Sequence, residues 1–260
     1  MMHAFSRTEL LLGKEGVERL RQASVCVFGI GGVGSYVVEA LARSGVGHLT
    51  LVDHDTVSIT NLNRQLVALH STLGMQKVEV ARQRILDINP EAQVTVHPCY
   101  YTGSEVNLQG FDFIADAIDS VTSKLTLIEK ATAAGIPIIS CMGTGNKLDP
   151  SRLVLTDISK TSQCPLAKVM RISLRKRGIH HLPVLYSTEP PAPHLEESEE
   201  PQEHRKTIGS MAFVPGCAGL MIAGEIIRRL SRIGLFQQRA RLRLRRSGVL
   251  QLHAFHDHAR

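Results

Sequence analysis

The fold is decided by the stretch Val25-Cys26-Val27-Phe28-Gly29-Ile30-Gly31-Gly32-Val33-Gly34. Its first four residues are apolar and rich in β-formers, which predicts a buried parallel strand. The glycines predict a tight turn, and the apolar spacing over residues 35–43 predicts a helix. Such a turn offers main-chain N–H groups and a helix N-terminus to a phosphate, which a Cβ atom would hold at a distance. The pattern therefore indicates a nucleotide site, but it fits nicotinamide, flavin and ATP alike.

Strands and helices alternate along the chain around this stretch. Further strands are predicted at residues 48–52, 94–96, 111–118, 137–140, 153–158 and 184–187. Helices are predicted at 75–87, 121–134, 164–177 and 6–21, the last with Leu10, Leu11, Leu12, Val17 and Leu20 at its apolar positions. The alternation predicts an α/β fold with a doubly wound, mostly parallel, Rossmann-like sheet. We expect a single domain over residues 1–260, whose C-terminal part continues the sheet.

The composition is that of a globular protein, with 43% hydrophobic and 21% charged residues. The formal net charge of +6 favours an anionic partner without identifying it. The five cysteines include no C-x-x-C pair, which argues against a structural zinc site and offers no disulfide framework. Reduced thiols in a cytoplasmic protein are the expected state.

One apolar stretch, residues 208–227, has about the length that spans a bilayer. Pro215, Glu225 and several glycines interrupt it, so we interpret it as a buried strand, turn and helix. The N-terminus carries Glu9 and Lys14 among its apolar residues, which is not the pattern of a signal peptide. We therefore expect no membrane association.

Acidic residues follow the predicted strands at the edge where a parallel sheet binds its ligands. Asp53 ends the second strand, where a carboxylate can accept hydrogen bonds from ribose hydroxyls, although a cap or turn role is the alternative. Asp119 follows the fourth strand and is placed to hold a Mg²⁺ ion that bridges phosphates. For Asp116 we favour a helix cap or a buried turn.

Two cations follow the glycine stretch. Arg64 lies in Thr60-Asn61-Leu62-Asn63-Arg64-Gln65, and Lys77 lies in the next predicted helix. Hydride transfer builds no new charge on phosphate, whereas nucleotidyl transfer does, and an arginine and a lysine would stabilise that charge. Each cation alone has the simpler interpretation of a solvated surface residue. Together with the glycines they favour nucleotidyl transfer.

These residues as a set resemble the ThiF-like superfamily of adenylating enzymes, relatives of ubiquitin-activating enzymes. The matching pieces are residues 29–34, Asp53-His54-Asp55, Asn61, Arg64-Gln65, Lys77 and Asp119. The resemblance implies that ATP binds in an N-terminal half, residues 1–145, where a substrate carboxylate attacks the α-phosphate and gives an acyl-adenylate and pyrophosphate. The ATP-site residues that we predict are Gly29, Gly31, Gly32, Gly34, Asp53, Asp55, Thr60, Asn61, Asn63, Arg64, Lys77, Asp119 and Ser120.

The resemblance also implies which residues take part in the reaction. Arg64, Lys77 and Asp119 are expected to be catalytic. An arginine near the N-terminus, here Arg7, is expected to reach the phosphates of a neighbouring subunit, which implies a homodimer. Residues 146–260 would then form a substrate and dimer half with a mobile loop at 189–206, a stretch rich in proline, glutamate and histidine.

Two features narrow the choice within the superfamily. Members that activate sulfur-carrier or ubiquitin-like proteins usually carry paired C-x-x-C zinc motifs, which this sequence lacks. The stretches that instead are similar to tRNA threonylcarbamoyladenosine dehydratases are 157–161, 165–167, 174–178, 186–189 and 209–215. This similarity implies adenylation of the threonyl carboxylate of N6-threonylcarbamoyladenosine beside a tRNA anticodon, after which the adjoining carbamoyl group closes a ring and expels AMP. ATP and Mg²⁺ are the implied cofactors, with a monovalent cation and a sulfur-transfer partner left open.

Basic residues supply a candidate RNA surface. Lys168, Arg171 and Arg175 share one face of the helix predicted at 164–177, and Lys176 and Arg177 follow them. A solvated helix face is the alternative. The arginine-rich tail at 238–246 suits an edge strand or a basic arm.

Ring closure needs no nucleophilic thiol, because the attacking group lies on the substrate. Cys217 lies in an apolar run and is expected to be a buried small hydrophobe. Cys164 precedes a helix, where a thiolate is stabilised, so its role stays open.

Three other functions stay open from the sequence. The chain could activate the C-terminus of a small carrier protein, bind tRNA or a partner in a nucleotide-dependent way without turnover, or act as a nicotinamide oxidoreductase. Arg64, Lys77 and Asp119 count against the last two, because neither binding alone nor hydride transfer needs all three.

Overall fold

The computed structural model describes residues 3–196 and 208–232. Its strands are β1 Ser24–Phe28, β2 His48–Val52, β3 Gln93–His97, β4 Phe113–Asp116, β5 Ile138–Cys141, β6 Leu153–Asp157 and β7 Pro183–Ser187. Its α-helices are α1 Ser6–Gln22, α2 Gly34–Arg43, α3 Lys77–Ile88, α4 Val121–Ala133, α5 Pro165–Lys176 and α6 Phe213–Ser231. The strands and helices predicted for residues 6–187 are therefore present, with ends that differ by a few residues.

All seven strands form one sheet in the order β3-β2-β1-β4-β5-β7-β6. Every neighbouring pair is parallel except β6 and β7, which are antiparallel at one edge. The prediction of a mostly parallel sheet that the C-terminal part continues is confirmed. Because β1 lies between β2 and β4, the chain winds in opposite directions from β1, and the switch point opens a crevice at the carboxyl ends of these strands.

Helices cover both faces of the sheet, as a doubly wound fold requires. One buried cluster joins the strands to α1, α2, α3 and α6, and the other joins them to α4 and α5. The core is aliphatic, with Phe28 and Phe113 as its largest fully buried side chains. The sheet is thus buried on both faces, and its carboxyl edge is left for ligands.

The segment 208–227 differs from the prediction. Residues 208–212 form no strand, and α6 begins at Phe213 with Pro215 in its first turn, where a missing N–H removes no helical hydrogen bond. The helix packs on α2, and a Cβ atom at Gly219 would lie 2.4 Å from the carbonyl oxygen of Val33. None of the helices in the described ranges has the length and apolar character needed to cross a bilayer.

Helix α1 corrects another expectation. Leu10 and Leu11 are 85% and 79% exposed, although Leu20 on the same helix is fully buried. The helix is kinked at Gly13, whose φ is 71°. Residues before the kink therefore do not lie on the same face as the buried residues after it. Residues 197–206 of the predicted mobile loop and the predicted arm at 238–246 lie outside the described residues.

Candidate active site

A cavity of about 620 Å³ opens at the carboxyl edge of the sheet, at the switch point beside β1. The ends of β1, β2, β4 and β5 each contribute a loop to its wall. The predicted site residues that line it are Gly29, Gly31, Gly32, Asp53, Asp55, Asn61, Arg64, Lys77 and Asp119. Residues that are far apart in the sequence, and predicted for one ligand, thus share one cavity.

The glycine turn is held open by close packing of the main chain. Gly29 has a φ of +85°, and a Cβ atom there would lie 2.6 Å from the Ala117 carbonyl oxygen. A Cβ atom at Gly34 would lie 1.7 Å from the Gly29 carbonyl oxygen, so Gly34 closes the turn from below and is absent from the cavity wall. Within the described residues, the N–H groups of Gly31 and Gly32 have no protein acceptor. This arrangement is suited to a phosphate.

Asp53 supports this turn directly. Its Oδ2 accepts the Ile30 N–H at 2.6 Å, and its Oδ1 accepts the Asp55 N–H at 2.8 Å. Each carboxylate oxygen keeps a second lone pair, so the predicted bond to ribose stays open to it. Asp53 therefore joins the end of β2 to the glycine turn, which sequence reasoning did not anticipate.

The two predicted cations lie beside the turn. Lys77 is only 4% exposed, and its Nζ donates to Asp55 Oδ2 at 2.7 Å. The aliphatic part of Arg64 packs on Gly32, where a Cβ atom would lie 3.6 Å from Arg64 Cγ. The guanidinium donates through Nη1 to the Thr60 carbonyl oxygen at 2.8 Å, which leaves its other nitrogens available at the cavity. Both cations thus line the same cavity as the glycine turn.

The loop after β4 carries Asp119 into the cavity wall. Asp116 is instead buried and accepts the Ile118 N–H at 3.1 Å, which confirms the expectation of a buried turn. It also pairs with Lys124, whose Nζ lies 2.9 Å from Asp116 Oδ2, while Ser140 donates to the same oxygen at 2.6 Å. This fully buried network joins β4, α4 and β5 under the loop that holds Asp119.

Some predicted residues lie outside the cavity wall. Asn63 donates to the Ser210 carbonyl oxygen at 2.9 Å and accepts from Arg64, so it braces the cation. Ser120 Oγ accepts the Tyr100 hydroxyl at 2.7 Å, and Thr60 contributes its carbonyl oxygen. Arg7 lies exposed on α1. The ligand roles of these four residues stay predictions.

Sequence reasoning missed a second group of wall residues, in the loop after β5. Gly143, Thr144, Gly145, Asn146 and Lys147 all line the cavity. Lys147 is 3% exposed, and burial lowers the pKa of its ammonium. The rule that ligands bind at the carboxyl ends of parallel strands, which predicted Asp53 and Asp119, could also have found the residues that follow β5.

Asn146 fastens two further segments over the cavity. Its φ is +54°, and its Oδ1 accepts the Gly209 N–H at 2.7 Å and contacts His194 Nε2 at 2.9 Å. Its carbonyl oxygen also accepts the Ala192 N–H at 2.8 Å. The beginning of the predicted mobile loop is therefore tied to the end of β5, and Pro191 and Ile208 join the wall.

The cysteines differ in their surroundings. Cys164 is buried at the N-cap of α5, lines the cavity and accepts the Ala167 N–H at 3.5 Å. Cys141 also lines the cavity, and burial raises its pKa to about 12, so it is a protonated thiol at neutral pH. Cys217 is half-buried on α6 and packs against the core, as a small hydrophobe would.

The predicted RNA-binding helix is α5, and its basic residues fall into two groups. Arg171 donates to the Thr161 carbonyl oxygen at 2.9 Å, and Arg177 pairs with Glu129 at 3.0 Å. Lys168, Arg175 and Lys176 are exposed. The first two cations therefore have structural partners, while the other three present charge to solvent.

Comparison with known proteins agrees with this geometry. The ThiF family profile matches residues 5–257. The chain belongs to the ThiF family. A Bacillus subtilis relative named tRNA threonylcarbamoyladenosine dehydratase is 45% identical over 242 residues, which are 88% of this chain and 95% of the relative.

Solved structures of the ThiF family share the fold. The crystal structure of Escherichia coli tRNA N6-threonylcarbamoyladenosine dehydratase, TcdA, in complex with ATP is 34% identical and has a TM-score of 0.79, with 90% of this chain and 96% of that one covered. Its complex with AMP has a TM-score of 0.80 at the same identity, with 92% and 96% covered. The two complexes show that the Escherichia coli protein binds ATP and AMP.

Proposed function

We propose that this chain is an ATP-dependent tRNA-modifying enzyme that dehydrates N6-threonylcarbamoyladenosine to its cyclic form. The observation that carries the proposal is the shared cavity of the glycine turn, Arg64, Lys77 and Asp119. The activity named for the Bacillus subtilis and Escherichia coli relatives supplies the substrate. The threonyl carboxylate attacks the α-phosphate of ATP, pyrophosphate leaves, and the carbamoyl group then displaces AMP and closes the ring.

The cavity suits this chemistry because the protein has mainly to bring anions together. A free carboxylate reacts poorly with nucleophiles because its oxygen is a poor leaving group. Adenylation converts that oxygen into part of AMP, which leaves readily. The N–H groups of Gly31 and Gly32 and the charges of Arg64 and Lys77 offset the negative charge that builds on the phosphates. The fold supplies these groups already in place.

Mg²⁺ would be held by Asp119. Its carboxylate lines the cavity, and within the described residues it has no cationic side-chain partner, which fits a hard cation that keeps most of its water ligands. When bound, the ion would offset negative charge on the phosphates. A monovalent cation in addition is consistent with this proposal.

The partners proposed are tRNA and a second copy of the chain. The exposed cations Lys168, Arg175 and Lys176 would contact the RNA backbone, with Arg171 and Arg177 in supporting positions. Arg7 is exposed on α1, from which it would reach the phosphates of a neighbouring subunit. A sulfur-transfer protein would be an additional partner, and a cytoplasmic location follows from a tRNA substrate.

Two measurements test the function. Pyrophosphate exchange into ATP should depend on tRNA that carries the threonylcarbamoyl group and should not respond to a small carrier protein. Mass spectrometry of nucleosides should show loss of one water from the modified adenosine after incubation with enzyme and ATP. Exchange that depends on a carrier protein, or no exchange with either partner, would overturn the proposal.

A further inference from the structure

Lys147 presents a buried positive charge at the loop after β5. The residue is 3% exposed, and its side chain lies in the wall of the cavity. Its Nζ donates to the carbonyl oxygen of Glu189. An ammonium has three N–H donors, so a single main-chain acceptor leaves it under-compensated. A buried charge in that state is costly unless an anion comes to it.

The two other lysines that are buried in the described part of the chain show the difference. Lys77 pairs with the Asp55 carboxylate at 2.7 Å, and Lys124 pairs with the Asp116 carboxylate at 2.9 Å. Lys147 has no carboxylate partner of this kind in the described ranges. The nearby Glu189 carboxylate instead accepts the N–H groups of Leu148 and Asp149, at 3.0 and 3.1 Å. Within the described ranges, the cavity thus contains a buried lysine that the Glu189 carboxylate attracts without forming an ion pair with it.

The position of Lys147 in the sheet indicates which anion it would bind. The groups suited to phosphate, namely the glycine turn with Arg64 and Lys77, follow β1 and β2. Lys147 follows β5, which lies on the other side of β4 from β1. The proposed reaction needs a second anion in this cavity, the carboxylate that becomes adenylated.

We propose that Lys147 binds the threonyl carboxylate of the modified adenosine and presents it to ATP, an inference that rests on the proposed function. Because Lys147 itself is only 3% exposed, its attraction for the carboxylate would be stronger than that of a solvated lysine. The carboxylate is absent from unmodified adenosine. Lys147 is therefore a specificity-determining residue that distinguishes modified from unmodified tRNA.

The test compares two tRNAs that differ only in the modification. Dissociation constants are measured for tRNA with and without threonylcarbamoyladenosine, in the presence of a non-hydrolysable ATP analogue. Lys147→Gln keeps an N–H donor for the Glu189 carbonyl oxygen but removes the charge. We expect it to bind modified tRNA about ten- to a hundredfold more weakly, as for loss of a charged hydrogen bond. Its affinities for unmodified tRNA and for ATP should match those of the wild type.

Controls separate this inference from others. Lys14→Met removes an exposed charge on α1 and should leave the preference for modified tRNA unchanged. If Lys147→Gln fails to bind ATP, Lys147→Met replaces it in the same tRNA-binding measurement. A variant that retains the wild-type preference for modified tRNA, or a wild type without such a preference, would overturn the role of Lys147. A wild type that does not convert modified tRNA would instead overturn the proposed function.

Discussion

The ammonium of Lys77 lies 2.7 Å from Asp55 Oδ2, and the two side chains differ sharply in exposure. The lysine side chain is 5% exposed, whereas that of the aspartate is 48% exposed. The carboxylate is therefore solvated and orients the lysine, while the buried ammonium keeps two N–H donors for a ligand. This asymmetry suits a cation that is oriented by a carboxylate and can still donate to a phosphate.

Replacing Lys77 with methionine tests that role. Lys77→Met keeps the length of the side chain and removes the charge, so pyrophosphate exchange should slow by at least about a hundredfold. Stability should change by less than about 1 kcal/mol, because Asp55 stays solvated. Asp55→Asn should have a smaller effect on exchange, since the ammonium remains. Equal losses in both variants would show that the pair matters as a unit.

Arg64→Ala should abolish pyrophosphate exchange and leave the fold intact. Among the described residues, the guanidinium hydrogen-bonds only to Thr60 and Asn63, which are close to it in the sequence. The matched control is Arg43→Ala, which breaks a pair with Glu39 on the surface of α2. Exchange rates and thermal melting of both variants provide the measurement. An Arg64→Ala enzyme with a near-wild-type rate would remove this residue from the mechanism.

Substitution by alanine should affect ATP binding at one glycine of the turn and stability at another. At Gly31 the nearest atom to a Cβ would be Gln65 Nε2 at 3.7 Å, so Gly31→Ala should fold and bind ATP more weakly. At Gly34 the Cβ would lie 1.7 Å from a carbonyl oxygen, so Gly34→Ala should unfold or lose several kcal/mol of stability. Urea denaturation and ATP titration distinguish them. A stable Gly34→Ala protein would contradict the packing described here.

The centre of the sheet could be predicted because β1, β2 and β4 are largely apolar runs that end at or just before a glycine or an aspartate. Strand ends were less certain, since the apolar run at 111–118 continues past Asp116, where pairing with β5 stops. The apolar residues at 208–212 indicated a strand, yet within the described residues no strand pairs with them, and hydrogen bonds join them instead to Asn146 and Asn63. Whether an apolar segment joins a sheet depends on a partner edge, and a sequence does not show which edges are already occupied.

The site was predicted where one residue type at one strand end suggests one chemistry. Asp53 and Asp119 met that condition, whereas Arg64 and Lys77 were predicted as two cations that follow the glycine stretch. Lys147 also follows a strand, but its significance comes from its burial without an ion-paired carboxylate among the described residues. Asp53 was predicted as a ligand for ribose, but its hydrogen bonds to the main chain of Ile30 and Asp55 could not be inferred from the sequence pattern.

Lys124→Met should destabilise the protein by about 3–5 kcal/mol, because it leaves the buried Asp116 carboxylate with Ser140 as its remaining side-chain partner. The double variant Asp116→Asn with Lys124→Met should cost less than Lys124→Met alone, because no uncompensated charge is then buried. Urea unfolding at neutral pH gives both free energies. A double variant less stable than the single one would indicate that the ion pair itself contributes net stability.

The carboxylate of Glu105 makes stability depend on pH. It accepts the N–H groups of Thr102, Gly103 and Ser104 at 2.8, 3.0 and 3.1 Å, together with the Thr102 hydroxyl. The hydroxyl of Thr102 and then its N–H lower the pKa of Glu105 to about 2, from an ordinary value of 4.5. Because the folded pKa is the lower one, this contribution is complete above the ordinary value and is lost as pH falls to about 2.

Glu105→Gln should therefore melt at a lower temperature than the wild type at pH 7, and by the same margin at pH 6. Below the ordinary pKa the margin should shrink steadily, because the wild type then loses the contribution that the variant never had. Thr102→Val removes the hydroxyl donor, so the pKa of Glu105 should rise. At pH 7, the melting temperature of Thr102→Val should therefore exceed that of Glu105→Gln by less than the wild type does. Melting temperatures from pH 7 to pH 3 measure all three proteins. A margin that stays constant or widens on acidification would show that the loop 102–105 is held by something other than the ionised carboxylate.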